Sequence, residues 1–200
     1  MFSEHVQSRS QQQAATRQKV LAAAEQLFRT QGFTATTIRQ IAAEANVSTG
    51  TVMAVGGKDT LLVSIFDAWI TAVHNSRHTE PAPTTATATT QDVLELFAPF
   101  VGYFALDPEL SREYTAIIVR GNHESAIFRD LALALLTELE TVLARSALPA
   151  AEVGRGAITI YLTYLGLLMT ASSGAIAMPD AADQLRQTID FVITHPNGTQ

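Results

Sequence analysis

The chain has no cysteine among its 200 residues, so neither a disulfide nor a thiolate-held metal can brace its fold. That absence fits a reducing cytosol. Charge is also scarce: 16% of residues are charged against 47% hydrophobic, a balance that excludes a disordered chain. The opening residues, MFSEHVQSRSQQQAA, are predominantly polar and hold no apolar run, so no secretory signal is expected. Neither G-x-S-x-G, a P-loop, a dinucleotide fingerprint nor H-E-x-x-H occurs, and nothing points to an enzyme or a cofactor. Strand-like alternation is missing too. One stretch, from Gly156 to Pro179, lacks charge altogether and is long enough to cross a membrane. Its threonines and glycines, and the want of flanking Lys/Arg clusters, argue instead for a helix packed within a soluble protein.

What is present is helical periodicity, cut by glycine and proline. The expectation is an all-α chain: a three-helix head over residues 1–60 and a larger helical domain over 61–200. A first helix spans about 16–31, its apolar face made of Val20, Leu21, Ala24, Leu27 and Phe28, and stops at Gly32. Thr37 and Gln40 form a capping box for a second helix over 38–45. Asn46 suits the left-handed turn that follows, and Ser48 caps a third helix over 49–55. A fourth carries Leu61, Leu62, Ile65, Phe66, Trp69 and Val73 to about Asn75. The Thr- and Pro-rich run 79–90 reads as a mobile connection. Further helices are expected at about 91–105, 109–120, 123–146, 151–173 and 181–193.

Charge separates along the chain. Residues 1–60 carry six basic and four acidic side chains, the remainder seven and fifteen. A mildly basic head on an acidic body is the asymmetry expected when only the head meets phosphates.

Two short helices joined by Asn46-Val47-Ser48 have helix-turn-helix spacing, which points the start of the second into a major groove. Residues 17–66, in LAAAEQLFRTQGFTATTIRQIAAEANVSTGTV followed by KDTLLVSIFDAW, resemble the DNA-binding head of the TetR family of bacterial repressors. The resemblance implies phosphate contacts from Thr37, Ser48 and Lys58. Arg39 is placed to reach phosphate or a guanine edge, and Arg9, Arg17 and Lys19 are read as a flexible basic arm. One departure stands out. The third helix of the family usually continues with a tyrosine, histidines and an aromatic, whereas this chain has Met53-Ala54-Val55-Gly56-Gly57. Base reading then falls to Thr49 and Thr51 as hydrogen-bonding groups and to Val52, Met53 and Ala54 against thymine methyls.

The resemblance also implies a dimer of ligand-responsive bodies. Thr159, Thr163, Gly166 and Thr170 form a stripe of small side chains, and Leu185, Ile189 and Val192 an apolar stripe on the last helix. Both are read as the interface of a homodimer. Aromatic and polar groups set in apolar helices (Trp69, Tyr103, Tyr114, His123, Phe128 and Tyr161) are candidates to line an effector site. The expected function is a cytoplasmic repressor that binds operator DNA and is released by a small apolar or aromatic molecule. The alternative is a helical ligand-binding or adaptor protein whose head no longer binds DNA specifically. No metal site is expected.

Overall fold

The computed structural model describes residues 2–77, 87–121 and 130–194, within which every regular element is an α-helix. In chain order these are α1 (Phe2–Gln31), α2 (Ile38–Glu44), α3 (Thr49–Val55), α4 (Lys58–Arg77), α5 (Thr90–Leu106), α6 (Pro108–Val119), α7 (Asp130–Leu143), α8 (Ala150–Ser172) and α9 (Met178–Thr194). The chain divides into two compact units. The first holds the residues up to Ala68 together with the stretch from Ala116, and the second holds Trp69–Thr115 and the C-terminal helices. Most of the Thr/Pro-rich connection, the expected start of the seventh helix, and the candidates His123 and Phe128 lie outside the described residues.

In the first unit, α1, α2 and α3 pack on one another. Val20, Ala24 and Phe28 recur every four residues along α1 and are buried, as are Ile41 and Ala42 of α2 and Val52 of α3. Two features set where these helices stop. Gly32 takes φ +85° and donates its N–H to the Phe28 carbonyl, closing α1. Asn46, at φ 52°, closes α2: its N–H bonds Ala43 and that of Val47 bonds Ala42, so two terminal carbonyls are satisfied within the turn.

The start of α1 corrects the sequence expectation. The helix does not begin near Thr16 but runs from Phe2 without interruption, so Arg9 and Arg17 sit on a helix and not on a flexible arm. The added segment, residues 2–15, contains no glycine or proline and holds four glutamines and two alanines, both good helix formers. Extending an existing helix carries no nucleation penalty.

The second unit is built on α5, α7, α8 and α9, with α8 packed on both α7 and α9. Its core holds Val93, Phe97 and Phe100 of α5, Leu139 and Leu143 of α7, Ile160 and Tyr164 of α8, and Leu185 and Ile189 of α9. Gly156 lets α8 lie close: a Cβ there would come within 3.0 Å of Leu148 and Val192 side chains. Helix α7 ends three residues before the expected position, where the Ser146 hydroxyl bonds back to the Leu143 carbonyl and the chain turns toward Pro149.

Candidate nucleic-acid interface and effector site

The helix-turn-helix is assembled by its caps. The Thr37 hydroxyl accepts from the Gln40 N–H at 3.3 Å, while the Gln40 side-chain oxygen accepts from the Thr37 N–H at 2.8 Å. The Ser48 hydroxyl accepts from the Thr51 N–H at 3.0 Å and lies 2.8 Å from the Thr51 hydroxyl. Both caps therefore orient helices whatever else they touch.

Anchoring of α3 decides which of its side chains face outward. Val52 is 0% exposed. It is the residue that fastens α3 to the head, so it is removed from the base-reading set. Its neighbours Thr49, Gly50, Met53 and Ala54 are exposed, Met53 at 56%, whereas Thr51 is half-buried. Arg39 is exposed on α2. Lys58 is more committed: its ammonium lies 4.5 Å from the centre of the Phe33 ring and donates to the Thr34 carbonyl at 3.3 Å. Two of its three N–H donors stay available for a phosphate. The Arg17 guanidinium donates to the Ser64 hydroxyl of α4 at 2.9 Å.

A hollow in the head lies between α1 and α3. It has a volume of about 780 Å³, with Arg9, Gln12, Gln13 and Arg17 on one wall and Thr51 and Ala54 on the other. Sequence periodicity gave no hint of it, because that wall of α1 has no apolar pattern.

In the second unit the aromatic candidates separate. Trp69 stacks on Tyr103 at 3.8 Å between ring centres and meets Phe100 edge-on at 5.9 Å. Tyr114 packs edge-on against Phe104 at 5.8 Å instead. Tyr161 is buried in the core, and that burial pushes its phenol pKa up. Sequence reasoning missed the polar group closest to this cluster. His74 is buried, its Nδ1 3.0 Å from Glu138 Oε1, with its ring 5.5 Å from Phe100. The signal was available, since His74 and Glu138 both occupy apolar-face positions, beside Ile70 and Val73 on α4 and Leu135 and Leu139 on α7. An apolar crevice beside Tyr164, Leu168 and Leu185 holds only about 20 Å³. That is room for about one water and far below the roughly 300–1,000 Å³ of a small-molecule pocket.

The expected dimer residues also divide. Thr159 and Gly166 are exposed, and Thr163 and Thr170 half-buried, on the same side of α8 as the exposed Ile158 (51%) and Leu162 (59%). Leu185 and Ile189, by contrast, are 3% and 0% exposed within this chain's own core, so they cannot meet a partner. The apolar side chain that α9 does expose is Phe191, at 63%. Helix α8 is long and apolar enough to cross a membrane by length and composition, yet it seats Ala157, Ile160, Tyr161 and Tyr164 in the core.

Residues 20–54 match the family model described as bacterial regulatory proteins, tetR family. No curated protein matches the chain. Among solved structures, Thermus thermophilus FadR, a TetR family transcriptional repressor in complex with lauroyl-CoA, superposes with a TM-score of 0.65 at 19% identity, over 92% of this chain and 96% of that one. A TetR transcriptional regulator from Rhodococcus sp. RHA1 gives 0.61 at 18% identity, over 90% and 95%. A TetR-like transcriptional regulator from Rhodococcus sp. RHA1 gives 0.56 at 17%, over 90% and 97%. Residues 20–54 of the head thus resemble the tetR-family domain in sequence, and the chain as a whole shares the fold of these TetR-family transcriptional regulators.

Proposed function

We propose that the protein is a cytoplasmic transcriptional repressor that binds an inverted-repeat operator as a homodimer and is released by a small apolar or aromatic molecule. The observation that carries this reading is the outward face of α3: Thr49, Met53 and Ala54 exposed on a helix that Ser48 caps and Val52 locks onto the head. A face held this rigidly suits a groove, where side chains must meet base edges in fixed register. Thr37, Ser48, Arg39 and Lys58 supply phosphate contacts around it, and Arg39 is also placed to reach a guanine edge. The homodimer rests on α8, whose exposed Ile158 and Leu162 flank Thr159 and Gly166, with Phe191 of α9 adding apolar surface. The effector reading rests on Trp69, Tyr103 and Tyr161, with His74 and Glu138 as a polar pair beside them. The lauroyl-CoA in complex with Thermus thermophilus FadR is one instance of a ligand with a long apolar part.

Selection of bound sequences from a random DNA pool tests the reading. Enrichment of an inverted repeat with two half-sites about one helical turn apart is the expected outcome. Binding without any enriched sequence would favour the second reading, a helical ligand-binding or adaptor protein with a non-specific head. The few hydrogen-bonding groups on the exposed face of α3 are what keep that reading in play.

A further inference from the structure

We infer that His74, held by Glu138, is a specificity-determining subsite for a ligand hydroxyl, so that the effector is a neutral hydroxylated aromatic compound and aromatic acids are excluded. The inference rests on the proposed effector site and deepens it by naming the polar group that the bound molecule carries.

Placement comes first. Ile70 and His74 stand about one turn apart on α4, and Leu135, Glu138 and Leu139 share a face of α7. Ile70, Leu135 and Leu139 belong to the core, and His74 itself is 3% exposed. The pair thus takes seats where aliphatic side chains would pack, and replacing a buried ion pair by such residues is often neutral or stabilising. Stability alone does not account for it. A row of rings leads to the pair: Trp69, half-buried, meets Phe100 edge-on at 5.9 Å, and Phe100 lies 5.5 Å from the His74 ring. A flat aromatic molecule has rings to pack against here, with an imidazole at their inner end.

Hydrogen bonding then selects the ligand. A carboxylate only accepts, so the Nδ1 that lies 3.0 Å from Glu138 Oε1 carries the hydrogen. That bond fixes the tautomer, and Nε2 of the neutral ring is left with a lone pair. Among the described residues Nε2 has no hydrogen-bond partner, and the one fully enclosed side-chain atom without a partner is Ser172 Oγ, so Nε2 stays open to an entering group. A ligand O–H donates to that lone pair and completes a chain from hydroxyl through imidazole to carboxylate, in which each hydrogen bond polarises the next. An aromatic carboxylate has no hydrogen to give. It also brings a second anion toward Glu138, in a low-dielectric core where like charges repel most. A plain arene leaves the lone pair unmet.

The full-length protein is tested with phenol and naphthol, each beside its parent arene and the matching carboxylate, at about pH 8, where an ordinary imidazole is neutral. Trp69 fluorescence reads affinity. Imidazole nitrogen NMR shifts, assigned through the signal lost in His74→Phe, read the subsite. At least one of the two hydroxyarenes should bind about 10- to 100-fold tighter than its arene and shift Nε2 of a ring already protonated on Nδ1. His74→Phe, which fills the seat with an apolar ring, should lose that preference while still binding the arene. Glu138→Gln keeps an acceptor for the Nδ1–H and removes the charge, so it should bind the carboxylate about tenfold tighter than wild type does. The inference is overturned if neither hydroxyarene outbinds its arene or moves the His74 signal, or if the preference survives in His74→Phe. A ring protonated on Nε2 alone, or a Glu138→Gln that gains nothing for the carboxylate, overturns it too. Each of these results leaves an apolar effector standing. A hydroxyarene that engages His74 yet leaves operator affinity unchanged does the opposite: the subsite stands and the release of DNA falls.

Discussion

Substitution of Gly166 by leucine separates an interface role for α8 from a role in the subunit's own fold. A Cβ built at Gly166 meets nothing within 4 Å in this chain and the position is exposed, so a larger side chain there starts out into open space. Within the monomer the change should be favourable, because glycine in a helix interior costs about 0.8–1.0 kcal/mol relative to a good helix former. In a dimer built on this face the same side chain fills the space that lets the partner approach, and overpacking of that kind costs about 1–3 kcal/mol. The dissociation constant of the dimer should therefore rise roughly 5- to 150-fold. Sedimentation equilibrium over a range of concentrations measures that constant, and thermal unfolding at the lowest concentration reports the monomer. Leu162→Glu, which places a charge on the same face, should weaken association further. The reasoning fails if the wild type is a 21.5 kDa monomer at micromolar concentration, or if Gly166→Leu dimerises as tightly as wild type.

Adjacent residues on α3 should part company: Val52→Ala should lower stability by about 2 kcal/mol through a core cavity, while Met53→Ala should leave the melting temperature unchanged and weaken operator binding alone. Arg39→Ala should relax specificity at one operator position by about 1–3 kcal/mol if it reaches a guanine, whereas Lys58→Ala should weaken all sequences alike and lower the salt slope by about one; equal, uniform losses would make Arg39 a phosphate contact. Hydrogen bonds from the Thr89 hydroxyl and backbone N–H hold the Asp92 carboxyl below the ordinary aspartate range. A folded pKa that is depressed stabilises the fold above the unfolded value and loses that contribution as pH falls through the folded one, so the stability gap between wild type and Asp92→Asn should be constant near neutrality and close below about pH 4; a gap that persists in acid would refute the cap. An apolar effector should part the Trp69–Tyr103 stack and change the fluorescence of the only tryptophan, and titration against the operator complex should weaken DNA binding roughly 5- to 150-fold; tight quenching with unchanged operator affinity would disconnect the site from the head.

The features that were legible in the sequence are those written in local chemistry. Thr37 with Gln40, Ser48, Gly32 and Asn46 each act on backbone groups within a few residues, so their roles follow from spacing alone. Where two assignments share the same pattern, the sequence could not choose. Leu185 and Ile189 form an apolar stripe that would look the same whether it faced a partner or the body of its own chain, and only the packing of α9 on α8 and α5 decides. Val52 was misplaced for a geometric reason. Successive residues on a helix are turned by about 100°, so in a seven-residue helix one step separates the anchor from the reading face. The long α1 was invisible to periodicity because a solvated helix has no apolar period; only the run of helix formers before Thr16 carried the information.

These placements together bear on how the head would divide affinity from specificity. The exposed part of α3 offers one free hydroxyl, on Thr49, and a thioether and a methyl, on Met53 and Ala54; the Thr51 hydroxyl is engaged by Ser48. No side chain there can make the bidentate contacts, worth about 1–3 kcal/mol each, that discriminate guanine or adenine most strongly. The group able to make them, Arg39 on α2, stands beside the reading helix instead of on it. Binding energy in such a head comes mainly from phosphates, and discrimination from a few flanking contacts and thymine methyls. A dimer compensates, since two weak readers held at a fixed spacing multiply their preferences. On this argument the integrity of the α8 face matters to operator choice as much as any residue that touches a base.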